Sequence, residues 1–280
     1  TGVQTCALPI CSAGKPVDYE ASNAPKALAL HEVKAMPNGR TWDRGGRNAF
    51  TTDMHKTQSI DYAIELEGER VLGMDDGRHT IHQGDIVVQE GAWHQWSRPG
   101  AGSTMMYDMF AAQFVDGPQG VAQGSDAPMR AGNVPAGARP QRRLVTIDEV
   151  AGQGKVVSDG PSPDVRTDPA RPGFTATRVW VTDSHPAKIV RETLQLPHAI
   201  EPPKGGSVCR VYSLPPDASW QGKVGKAEVT AYFKGMGSPG AAAEGPHPYM
   251  QQTRTLDICA VLEGEVTLVL DAGEIGRAHV

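Results

Sequence analysis

The chain has 280 residues, 39% of them apolar and 21% charged, with a net charge of −5. It has no basic stripe and no apolar run long enough to cross a bilayer, which argues against nucleic acid and membrane as partners. The 32 glycines and 22 prolines, beside only 6% aromatics, favour many short strands joined by turns in one large or two modest domains.

The opening stretch TGVQTCALPI is what ACT GGA GTT CAG ACG TGT GCT CTT CCG ATC encodes. The closing EIGRAHV is what GAG ATC GGA AGA GCA CAC GTC encodes. Both resemble translated short-read sequencing adapter, so residues 1–11 and 274–280 are expected to be library scars and the natural protein to span 12–273, cut by the read. Setting the scars aside removes Cys6 and Cys11 and leaves Cys209 and Cys259. Two distant cysteines imply no disulfide framework, and a reducing cytoplasm is the default location.

Residues 55–110 read as a strand meander: YAIEL, RVLGM, HTIH, DIVVQ, WHQW and TMMYDMF, separated by the turn sequences EGE, DDG, QGD and EGA. Closely spaced strands with no helical pattern between them predict an antiparallel sandwich or barrel. Residues 116–140 are rich in Gly, Pro and Ala without periodicity and read as a linker. Beyond them RRLVTIDEV, KVVSD, FTATRVWVTD and SVCRVYSLPP are again strand-like, whereas KAEVTAYFKGMG, 226–237, is helical and should end at Gly235 or Gly237.

A repeat organises these elements. Residues 54–77 match 250–273 at ten of 24 positions. Thr57, Asp61 and the run Leu66-Glu67-Gly68-Glu69 recur as Thr253, Asp257 and Leu262-Glu263-Gly264-Glu265, while His55 becomes Gln251. A repeat of this size implies a duplicated folding unit, the first over 12–115 and the second over 141–273. The second copy stops after its second motif strand and is expected to expose unpaired strand edges.

The pattern His55-x-Thr57-x-Ser59-x-Asp61-x6-Gly68, followed by Gly84-x6-Gly91-x2-His94, resembles the paired motifs of the cupin superfamily. The resemblance implies an all-β chain of tandem cupin (double-stranded β-helix, jelly-roll) barrels, the second truncated. It also implies a small-molecule substrate and allows a homodimer. In that family two histidines and a glutamate from the first motif and a histidine from the second hold one metal. Carried over, the set is His55, Asp61 and His94, with Thr57 standing where the second histidine would be.

Two imidazoles and a carboxylate would suit a divalent metal, iron foremost, with Mn, Ni or Zn as alternatives. The resemblance then implies an oxygenase, decarboxylase or isomerase with Thr57, Tyr62, Trp93 and Trp96 around the substrate. His55, Thr57, Ser59 and Asp61 share strand parity and should look into the barrel together. Trp93 and Trp96 would wall the pocket with Met105 and Met109. The structural reading of the same residues is that Asp61 bonds Ser59, Thr57 or backbone and fixes the strand, which makes the protein a metal-free ligand-binding or structural barrel. The loss of histidine in the second copy fits a division of labour in which one barrel works and the other supports. His79 and His82 fall on opposite faces of one strand and read as solvated edge residues, His247 reads as a loop residue, and Glu67 and Glu69 read as solvated turn residues.

Overall fold

The computed structural model describes residues 4–5, 34–35, 39–47, 51–98, 102–114, 134–148, 152–271 and 273–279. Most of the expected linker, and residues 1–11 apart from 4–5, lie outside them. The described residues are predominantly strand, as expected. The strands in chain order are β1 Gln4–Thr5, β2 Lys34–Ala35, β3 Thr41–Asp43, β4 His55–Thr57, β5 Ser59–Glu67, β6 Glu69–Met74, β7 Gly77–His82, β8 Ile86–Glu90, β9 Gln95–Ser97 and β10 Thr104–Gln113. They continue as β11 Arg142–Asp148, β12 Gly154–Pro161, β13 Asp164–Thr167, β14 Thr175–Thr182, β15 Ala187–Lys188, β16 Ser207–Ser213, β17 Glu265–Leu270 and β18 Gly273–His279, with helix α1 over Lys226–Gly235.

The chain divides into two compact units that do not follow chain order. The first comprises Thr1–Arg130, Gln141–Pro161 and Asp183–Thr193. The last two stretches fall in the range that the repeat assigned to the second unit, and here they complete the first. Its main sheet runs β1-β10-β5-β8-β11-β12, with β15 on β10. Neighbours are antiparallel except β8 with β11 and β10 with β15. A smaller sheet, β7-β6-β9, faces it.

The core forms between these two sheets, as alternation requires. Ala63, Val87, Met105, Tyr107 and Leu144 from the large sheet meet Leu72, Met74, Ile81 and Trp96 from the small one. The strands β6 and β7 join through Asp75-Asp76, with Gly77 next, where the DDG sequence called for a hairpin. Gly68 sits at φ +81°, and a β-carbon there would fall 2.7 Å from the Gly102 carbonyl oxygen, so the β5–β6 corner requires glycine.

The second unit holds a three-stranded sheet β13-β14-β16, helix α1 and the hairpin β17–β18. The helix starts where the Glu228 carboxylate accepts from the Gly225 N–H at 2.9 Å, and its buried Phe233 packs with Phe174, Ile200 and Met236. The repeated motif does not repeat the fold. In the first copy β5 is paired on both sides, by β8 and β10. Its counterpart, residues 255–263, forms no strand, and among the described residues no strand pairs with it; Leu256 is 82% exposed. Among the described residues Cys209 and Cys259 form no disulfide, and no helix is long and apolar enough to cross a membrane.

Candidate functional site

The site grows from one backbone contact. His55 at the start of β4 and His94 just before β9 exchange both backbone hydrogen bonds, N to O at 2.9 Å each way. Directly opposed residues of an antiparallel pair carry their side chains on the same face. The two rings therefore lie together, with centroids 4.4 Å apart. The spacing of the two motifs is what lets this happen, since β5 to β8 return the chain to the level at which it left.

Each ring is held at one nitrogen. His55 Nδ1 lies 2.7 Å from the Asp53 carbonyl oxygen and His94 Nδ1 lies 2.9 Å from that of Ala92. A carbonyl can only accept, so a neutral ring carries its proton on Nδ1 and presents the lone pair of Nε2. Burial, reinforced by the neighbouring His55, lowers the His94 pKa to about 3, so this ring stays neutral at physiological pH. Trp96 and His94 meet in a T-shaped arrangement with ring centroids 6.4 Å apart, and Tyr107 meets Trp96 in the same way at 6.1 Å.

Asp61 is buried on β5, and its pKa rises to about 7 because burial disfavours the carboxylate, only partly offset by the hydroxyl of Ser59. Thr57 Oγ1 bonds Ser59 Oγ at 2.6 Å, so Thr57, Ser59 and Asp61 run as a polar line along one face. Parity put these residues together, and they are together. Among the described residues, however, no group of three or more His, Cys, Asp and Glu converges on a point where a metal could sit. The residues present supply two nitrogen donors and not the family's full ligand set.

The remaining sequence candidates separate by face. Trp96 joins the interior cluster, with Met105 inside it and Met109 packed against it. Tyr62, next to Asp61, points to the opposite face and packs against Phe110, the ring centroids 5.0 Å apart. Trp93, next to His94, packs instead with Trp42, Met54 and Phe114. Neither is brought to the histidine pair. His79 and His82 lie on the outer strand β7, and His247 sits beside Trp220 in the second unit.

Three features went unread in the sequence. Lys56 is fully buried and paired with Asp148, its ammonium 5.3 Å from the centre of the Trp93 ring and 5.8 Å from that of Trp42. Arg143 grips Glu192 through two bonds of 3.1 and 2.8 Å. Gln89 and Thr146 stand on the interior face beside Asp61. Gln89 could have been found from its parity with Val87 in DIVVQ; nothing in the sequence marks Thr146.

No protein-family model matches the chain. A stretch of 44 residues is 48% identical to the phomopsin biosynthesis cluster proteins C' and D of Diaporthe leptostromiformis. A stretch of the same length and identity matches a cupin-domain-containing oxidoreductase, virC, of Hypocrea virens. Each match covers 15% of this chain and only 23% of the relative. The similarity and the curled sheet are compatible with a cupin.

Proposed function

We propose that the first unit is a cupin-type barrel of small-molecule metabolism, and that an oxygenated organic molecule is bound and changed at the His55–His94 pair. One observation carries this reading: both rings are fixed at Nδ1 by backbone carbonyls, which leaves the Nε2 of each to meet a ligand, and the ring centroids are only 4.4 Å apart. Rigid imidazoles with free lone pairs hold a hydroxyl or enol in place. Asp61, with a pKa near neutrality, supplies a proton donor and acceptor suited to isomerisation or decarboxylation. One relative is by its name an oxidoreductase, which keeps oxidation among the reaction classes.

The same two Nε2 atoms favour one further reading, a divalent metal on His55 and His94, iron by the family resemblance. Such an ion would supply Lewis-acid or redox chemistry. The rival class is a barrel that binds a ligand without changing it.

Histidine-detected NMR of the full chain with phenols, hydroxy acids and enolisable ketones tests the proposal. Elemental mass spectrometry of the wild type, His55→Ala and His94→Ala accompanies it. The expected result is that one of these compound classes moves both imidazole signals. A panel that moves neither, together with no metal, overturns the reading. Near-stoichiometric metal lost in both variants establishes the metal form.

A further inference from the structure

Four strands of the first unit set four residues side by side at one level. Register pairs Met109 of β10 with Asp61 of β5, Asp61 with Gln89 of β8, and Gln89 with Thr146 of β11. The next level of the same face is Tyr107, Ala63, Val87 and Leu144, all members of the interior core. The row Asp61–Gln89–Thr146 therefore faces inward, with adjacent strands about 4.8 Å apart.

Most of its side-chain polar atoms have no hydrogen-bond partner. Asp61 is 4% exposed, Gln89 1% and Thr146 0%. Asp61 Oδ1, both amide atoms of Gln89 and Thr146 Oγ1 are buried without a hydrogen bond, and so is Nε1 of Trp96 on the facing sheet. Buried polar groups are normally satisfied, because leaving one unpaired forfeits its hydration with nothing in return. Several such atoms in one row mark a place built to be completed by something else.

We propose that this row recognises an uncharged, amide-like group, one that carries an N–H or O–H donor beside a carbonyl acceptor. The inference rests on the barrel binding a small molecule at the histidine pair and names the chemistry of the part bound deeper. Gln89 Nε2 and Trp96 Nε1 donate, Asp61 Oδ1 and Gln89 Oε1 accept, and the Thr146 hydroxyl does either. Among the described residues an anion would find no uncommitted cation there to neutralise it. Of the nearby cations, Lys56 is committed to Asp148, Arg143 to Glu192, and Arg70 to Ser103 with Glu65 3.7 Å away. A cationic group would oppose the two N–H donors.

The test uses the full chain and the variants Thr146→Val, Gln89→Met and His94→Gln, with 2-pyridone as the neutral amide probe and benzoate as an anion of similar size. In the free protein, Thr146→Val and Gln89→Met should each raise the melting temperature by about 2–4 °C, because an orphaned polar group is replaced by an apolar one of similar shape. Calorimetry should show 2-pyridone binding more tightly than benzoate and losing at least about tenfold in either variant, the weight of one buried hydrogen bond. A lower melting temperature in both variants assigns the row to ordered water or internal structure and overturns the inference. So does benzoate binding as tightly as 2-pyridone, or no 2-pyridone binding. If 2-pyridone binding survives Thr146→Val and Gln89→Met but is lost in His94→Gln, the row falls and the histidine reading stands. If it survives all three, both fall.

Discussion

Lys56 reaches Asp148 across 92 positions of sequence, and the two buried side chains join β4 to β11. Asp148 also accepts from the Trp93 N–H at 3.0 Å, so one carboxylate braces both β4 and the segment ahead of β9, which between them present the histidine pair. His55 adjoins Lys56 in sequence and His94 adjoins Trp93. The pair is thus positioned by an ion pair on the opposite face of its own strands.

Removing one partner strands a charge in the interior. Lys56→Met should cost about 3–5 kcal/mol, and the double variant Lys56→Met, Asp148→Leu should recover most of that loss. Urea unfolding of the two variants checks it. A double variant no more stable than the single one would show that the pair contributes more than its mutual neutralisation.

Asp61 gives stability a pH dependence of unusual sign. Its folded pKa, about 7, lies above its ordinary value of 3.8 because of burial. Between those values the native state holds a proton that the unfolded chain has released. The contribution is therefore complete below pH 3.8 and is lost as pH rises through 7. Asp61→Asn lacks this term. Relative to wild type it should gain about 2–3 kcal/mol between pH 5 and pH 8. Unfolding free energies at the two pH values measure the change, and a constant difference would place Asp61 in contact with water.

His94 works in the opposite sense. Its folded pKa, about 3, lies below its ordinary 6.5, so only the unfolded chain takes up a proton in that interval. The contribution is complete above pH 6.5 and is lost as pH falls towards 3. The imidazole proton signals of His94 should stay fixed from pH 8 to pH 4, and His94→Gln should flatten the acid side of the stability profile. A His94 signal that titrates near pH 6.5 would mean an open, hydrated ring.

Much of this was legible in the sequence for one reason, the period of two. Alternation in the 55–110 meander and the DDG hairpin are local signals, and the local strands formed where they pointed. The pairing of His55 with His94 follows from the two motifs. The same period would have sent Tyr62 and Trp93 outward, because each is one residue from an inward-facing neighbour and a single step reverses the face. Thr146 and Asp148 were illegible for a different reason. They come from a strand beyond residue 140 that inserts in parallel beside β8, and no local pattern announces a partner that far away. The repeat misled at 255–263, where similarity in sequence met a different set of neighbours.

The parallel pairing of β8 with β11 has a consequence for synthesis. The strand that shields one side of β8, and the segment Asp183–Thr193 that brings Glu192 to Arg143, leave the ribosome long after the motifs have emerged. Until then β8 presents a bare edge and Arg143 lacks its counter-ion. The first unit therefore cannot close as it is made, and its nascent form has to be kept from pairing with other chains while about a hundred further residues, from His94 in the second motif to Thr193, or about 5–20 seconds of translation, arrive.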